Sequence, residues 1–218
     1  MMWSEVAIRL LDRSAPRHGV ERAEMDRQVS AGMPWHRHDH AHPDLSSSEL
    51  WWGAVHRRYG EIFSELGHPE AANPEAMATL RSDILDPSGY RVFDDVVPAL
   101  TRARAGGWRS LIVSNHVPEL ETLVADLGLT GLFEGIVGSG VVGYEKPHRR
   151  LFDVAQRLSG AGCGPIWMIG DNASADCAPV CAMGHKAVLI RSPIAGAFER
   201  QADDLVQALD LIEAASPG

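Results

Sequence analysis

Apolar and polar positions follow two rhythms along the chain, and the changeover falls near Asp86-Pro87-Ser88-Gly89, a turn-rich junction. Before it, apolar residues recur at helical spacing. Ser4 to Asp12 and Glu21 to Val29 predict two short amphipathic helices. Ser46-Ser47-Ser48-Glu49 is a helix-start pattern, and Leu50, Trp51, Ala54, Val55, Tyr59, Ile62, Phe63 and Leu66 follow as one inward set, closed at Gly67. Asn73-Pro74-Glu75 opens a further helix, with proline at a tolerated first-turn position, carrying Met77, Leu80, Ile84 and Leu85 inward.

After the junction, helices alternate with short apolar runs. Asp94-Asp95 lead a helix with Val96, Val97 and Leu100 inward, stopped at Gly106-Gly107. Strands are expected over Trp108 to Val113, Gly135 to Gly138, Ile166 to Ile169 and Lys186 to Ile190. Helices are expected over Glu119 to Leu127, His148 to Leu158, the stretch after Asp171, and Asp203 to Ala214. Such alternation predicts an α/β fold with a mostly parallel sheet covered by helices on both faces. The expected division is a helical domain over 1–86 and an α/β domain over 87–218. Ligands of such sheets bind beyond the carboxyl ends of the strands.

Composition narrows the function classes. Hydrophobic residues make up 45% and charged residues 22%, as in ordinary globular proteins. A formal charge of −9 argues against nucleic acid or an anionic membrane as partner, because both recruit Lys and Arg. No apolar run is long enough to span a bilayer and the first residues do not form a signal peptide, so a cytoplasmic protein is expected. Cys163, Cys177 and Cys181 make no disulfide framework and read as small core residues.

Three polar clusters carry candidate chemistry. The run Leu111-Ile112-Val113 ends in Ser114-Asn115, which offers an anion a hydroxyl and backbone N–H groups, although such a pair is equally a turn and helix cap. Trp167-Met168-Ile169-Gly170 delivers Asp171 to a strand end, with Asp176 five residues on. Two carboxylates there suit magnesium, which takes one or two protein carboxylates with phosphate and water; Asp176 reads equally as a helix cap. In Gly143-Tyr144-Glu145-Lys146-Pro147, glycine and proline restrict the backbone around Lys146, so its ammonium can be aimed.

In that order, Ser114-Asn115, Lys146-Pro147 and Gly170-Asp171 with Asp176 resemble the second, third and fourth motifs of the haloacid dehalogenase superfamily. The similarity covers about Tyr90 to Arg191, and residues 1 to 85 resemble the helical cap of its phosphatase-like members. The resemblance implies that Ser114 and the Asn115 N–H bind a phosphoryl oxygen, Lys146 neutralises its charge, and Asp171 holds Mg2+, with Asp176 as further ligand or loop support. It implies a hydrolase of small phosphorylated metabolites; a dehalogenase fits less well, since it needs no metal.

The same resemblance calls for a first strand ending Asp-x-Asp-Gly-Thr, whose first Asp is the nucleophile, and the chain contains no such sequence. A longer natural N-terminus is the simplest expectation; a binding module without turnover is the alternative. In the family this strand lies between those ending at Ser114 and Gly170, so its loss would bare two strand edges and favour self-association into a homo-oligomer. Val6 to Asp12 could be drawn as a substitute strand bearing Asp12, but its spacing reads more naturally as helix. Finally, His36, His38, His40 and His42 crowd one loop with Trp35 and Arg37. Imidazole binds transition metals, yet nothing in the sequence closes a site, and a substrate-facing or solvated loop is the favoured reading.

Overall fold

The structure is a computed structural model that describes residues 2–33, 41–42, 45, 47–162 and 164–215. Its N-terminal part is helical: α1 (Met2–Ser14), α2 (Arg22–Val29), α3 (Ser48–Glu65) and α4 (Leu80–Leu85). The α3 start follows from its serine, since Ser47 Oγ accepts from the Leu50 N–H at 3.3 Å. Val6, Leu10, Leu11, Met25, Tyr59 and Phe63 are buried together in one apolar core, each aliphatic or Phe side chain there contributing about 1.5–3 kcal/mol.

Two of these helical expectations change. Leu50 is 57% exposed, because Trp51, Val55, Tyr59 and Ile62 define the buried stripe and Leu50 falls to one side of it. The segment after Asn73 is a run of turns, with Asn73 Oδ1 accepting from the Ala76 N–H at 2.8 Å. Regular helix begins only at Leu80, although Met77 is still buried.

Pro87–Gly89 forms a single 3-10 turn, capped by Asp86 accepting from the Ser88 N–H. Beyond it come α5 (Val96–Ala105), β1 (Leu111–Ser114), α6 (Leu120–Asp126), β2 (Gly135–Gly138), α7 (Ser139–Val142) and α8 (Arg149–Ser159). Then follow β3 (Trp167–Gly170), a π-helical turn (Ala173–Cys177), α9 (Ala178–Ala182), β4 (Lys186–Ile190), β5 (Gln201–Ala202) and α10 (Leu205–Ala214). The inward face of α5 is Ala99 and Ala103 rather than Val97, which is 48% exposed. Small alanines let α5 lie close to α10, and Arg102 joins the pair through Asp210 at 2.7 Å. Cys177 is buried as expected, whereas Cys181 is exposed; Cys163 lies outside the described residues.

All strand pairs are parallel, but they form two sheets, β1-β2 and β3-β4-β5. β1 and β3 each have one hydrogen-bonded neighbour among the described residues, which leaves the other edge of each unpaired. Every residue of both strands is only half-buried, whereas Ala187 to Ile190 of β4 are buried. The expected break in the sheet therefore falls between the strands ending at Ser114 and Gly170. Both open edges are apolar, which is what a further strand would pair with.

Candidate active site

Ser114 ends β1 opposite Gly138 of β2, so its hydroxyl stands at the carboxyl end of the sheet. The next residue does a different job. Asn115 Nδ2 donates to the Lys146 carbonyl at 3.0 Å, and Asn115 Oδ1 accepts from the Lys146 N–H at 2.7 Å. This two-point grip spends the Asn115 side chain on the lysine loop and leaves its backbone N–H as the group that can meet an anion.

The lysine loop is shaped by Gly143, whose φ of 74° lies in the left-handed region that glycine adopts without strain. The Lys146–Pro147 peptide is cis. At its other end, Lys146 Nζ donates to Asp176 Oδ1 at 2.6 Å. The two side chains are 15% and 3% exposed, so water screens the pair weakly. Lys146 is thus held at its peptide by the segment after β1 and at its ammonium by the segment after β3.

Asp176 is seated by a glycine. A Cβ on Gly170 would lie 2.5 Å from Asp176 Cβ and 2.6 Å from its Cγ, so only glycine lets the aspartate fold back under the strand end. Asp176 Oδ2 accepts from the Asn172 N–H at 3.0 Å, and Asn172 Oδ1 in turn accepts from the N–H groups of Ser174 and Ala175. Asp171, just beyond Gly170, is exposed at the strand end. These donors fit magnesium in one arrangement: Asp171 presents an accessible carboxylate, and Asp176 fixes the loop and the lysine. Among the described residues, no group of three or more His, Cys, Asp and Glu side chains gathers as a metal cage, and magnesium requires none.

Two ionisable groups beside this site carry no sequence signal. Glu145 is 4% exposed, its Oε2 has no hydrogen-bond partner, and burial pushes its pKa up to about 7. The His116 Nδ1 is likewise buried without a partner, and burial lowers this imidazole to about 4. His116 is therefore neutral near pH 7, whereas Glu145 divides there between its neutral and charged forms. Asp12 lies on a helix and not on a strand: it sits within α1, its side chain is 64% exposed, and it accepts from His18 Nε2 at 3.2 Å. Of the histidine-rich loop, His36, His38 and His40 lie outside the described residues, as do Trp35 and Arg37. The His42 N–H donates to the Gly143 carbonyl at 2.8 Å, which brings the helical part against the lysine loop.

Comparison with known proteins gives a consistent answer. A haloacid dehalogenase-like hydrolase family model matches residues 14–179. A human haloacid dehalogenase-like hydrolase domain-containing protein 3 is 26% identical over 92% of this chain and 86% of its own. A phosphoserine phosphatase from Thermus thermophilus is 32% identical over 68% of this chain and 59% of its own. Among solved structures, the HAD-hydrolase YfnB of Bacillus subtilis, bound to magnesium, superposes with a TM-score of 0.70. That match covers 96% of this chain and 91% of the other at 16% identity, a likeness of fold.

Proposed function

The chain belongs to the haloacid dehalogenase-like hydrolase family, and from that premise we propose that it handles small phosphorylated metabolites as a magnesium-dependent phosphomonoester hydrolase. The observation that carries this reading is the double hold on Lys146, by Asn115 at its peptide and by Asp176 at its ammonium. A cation fixed from both sides is what phosphoryl chemistry asks of a protein, since that chemistry rests on positioning and charge neutralisation. The phosphoserine phosphatase among its relatives supports the same class.

In this reading Ser114 donates its hydroxyl to one phosphoryl oxygen and the Asn115 N–H donates to another. Lys146 lowers the charge on the phosphoryl group while Asp176 keeps the ammonium from swinging into solvent. Asp171 is the side chain that would hold Mg2+, which when bound offsets repulsion between an anionic phosphate and an anionic attacking group. The helices of 1–86 serve as a cap over an α/β core of 87–218, and the substrate meets both. With no described helix long and apolar enough to cross a membrane, a cytoplasmic location fits a soluble metabolite as substrate.

The open edges of β1 and β3 favour a second reading for the 218 residues by themselves. In this family's chemistry the group that attacks phosphorus is a carboxylate, none of the described strands offers one at the break, and Asp12 is turned to His18 on a helix. The chain alone then binds phosphate and metal without turnover. One experiment separates the two: magnesium-dependent hydrolysis of p-nitrophenyl phosphate by this chain, and by a version carrying ahead of Met1 an apolar strand that ends Asp-x-Asp-Gly-Thr. Turnover in the extended protein, abolished when the first of those aspartates becomes asparagine, supports the hydrolase. No turnover in either, with phosphate binding intact, supports the binding module.

A further inference from the structure

The segment between β1 and α6 contains a carboxylate whose position makes no sense within its own helix. Glu119 occupies the N-cap of α6, yet its side chain makes no capping bond to that helix. Its oxygens turn instead to the N-terminal helices. They accept from Ser48 Oγ at 2.5 Å, from Trp52 Nε1 at 3.1 and 3.2 Å, and from Arg81 Nη2 at 2.5 Å. The guanidinium of Arg81 also lies 5.8 Å from the centre of the Trp52 ring, so tryptophan, arginine and carboxylate form one closed unit. Two residues earlier, Val117 is fully buried in the apolar core of the helical part, although it belongs to the α/β part by sequence. The stretch that starts at Ser114 is therefore plugged into the helices by an apolar peg and a carboxylate. Charge-assisted bonds of this kind are about twice as strong as neutral ones.

We propose that Glu119 is a positioning residue, clamping the helical part onto the loop after β1 so that its inner face meets the organic group of a phosphomonoester bound at Ser114 and Lys146. This rests on the phosphomonoester reading for its ligand, though the clamp itself is a matter of geometry. The helical part touches the other side of the site as well, through the bond from the His42 N–H to the Gly143 carbonyl three residues before Lys146. A phosphate needs only the strand ends. A phosphate ester also needs whatever the helices present above them, and Glu119 fixes where that is.

The test compares the full chain with Glu119→Ala and Glu119→Gln, using inorganic phosphate and p-nitrophenyl phosphate as probes, each with magnesium. The second probe is read as a dissociation constant, or as KM where turnover occurs. Glu119→Ala is expected to leave phosphate affinity within about twofold, to weaken the ester about tenfold, and to raise hydrogen exchange over residues 115–120. Glu119→Gln, which keeps an acceptor for Ser48 and Trp52, is expected to recover most of the ester affinity. Equal weakening of both probes, or an unchanged ester affinity in Glu119→Ala, overturns the proposal. Should the unaltered chain bind neither probe, the phosphomonoester reading fails; unchanged exchange over 115–120 in Glu119→Ala then rejects the clamp separately. If Glu119→Ala does not fold, Arg81→Ala removes one donor from the clamp and is judged by the same outcomes.

Discussion

Lys146 Nζ lies 2.6 Å from Asp176 Oδ1, in a pair that joins the loop before α8 to the turn after β3. Neither residue is on a regular strand, so this ion pair couples two segments that the break in the sheet would otherwise leave independent. Removing one partner of a poorly solvated pair leaves the other charge unpaired, which costs more than the pair itself contributes. Lys146→Ala should therefore destabilise the protein by about 3 kcal/mol, and Asp176→Ala by a similar amount. The double variant should recover part of that loss. Urea denaturation checks the cycle; additive losses would mean that the pair is solvated.

Gly170→Ala should be disproportionately harmful for the addition of one methyl group, because the new Cβ would overlap Asp176. Overpacking of this kind costs about 1–3 kcal/mol. More telling, displacement of Asp176 should release the lysine, so magnesium-supported phosphate affinity should fall along with the melting temperature. A Gly170→Ala protein with unaltered phosphate affinity would show that Asp176 does not aim Lys146.

Glu145 and Glu119 should leave separate marks on stability against pH. Burial raises Glu145 from the ordinary glutamate value of 4.5 to about 7. Its contribution is fully present below 4.5 and declines as pH rises through about 7, by on the order of 2–3 kcal/mol. Glu145→Gln should flatten that decline. Burial also acts to raise Glu119, but bonds from Ser48 and Trp52, its own backbone N–H and the charge of Arg81 outweigh it and hold the carboxyl below its ordinary value. Its contribution is therefore present above 4.5 and lost as pH falls through the lowered value. Chemical denaturation at intervals from about pH 3 to about pH 8 distinguishes them; a Glu145→Gln profile parallel to that of the parent protein would contradict the first assignment.

Asp12→Asn is expected to do almost nothing. The carboxylate is largely exposed and its contact is with His18, an arrangement that contributes about 1 kcal/mol at most. Neither phosphate affinity nor any hydrolysis by the chain should change. Loss of hydrolysis in this variant would revive Asp12 as a nucleophile.

How much of this was legible beforehand depended on whether a feature is local. The strands over Gly135–Gly138 and Lys186–Ile190, and the change of rhythm at Asp86-Pro87, are written in short-range apolar patterns and turn residues. Leu50 and Val97 misled because each lies off the buried stripe of its helix, and only the partner surface decides which side faces in. At the site, Ser114, Lys146 and Asp171 could be singled out by their places at strand ends and between glycine and proline. The grip of the Asn115 side chain on the lysine peptide is a contact across 31 positions that no spacing announces. Glu119 was invisible for the same reason, since its partners lie 38 to 71 residues away.

The most direct test of the central claim is calorimetric titration of inorganic phosphate into the chain in the presence and absence of magnesium, repeated with Ser114→Ala, Lys146→Met and Asp171→Asn. The account predicts saturable phosphate binding that magnesium strengthens, weakened about tenfold or more by Lys146→Met and about fivefold by Ser114→Ala, and stripped of its magnesium dependence by Asp171→Asn. Phosphate binding that ignores magnesium and survives all three substitutions, or no binding at all in the folded chain, would contradict it.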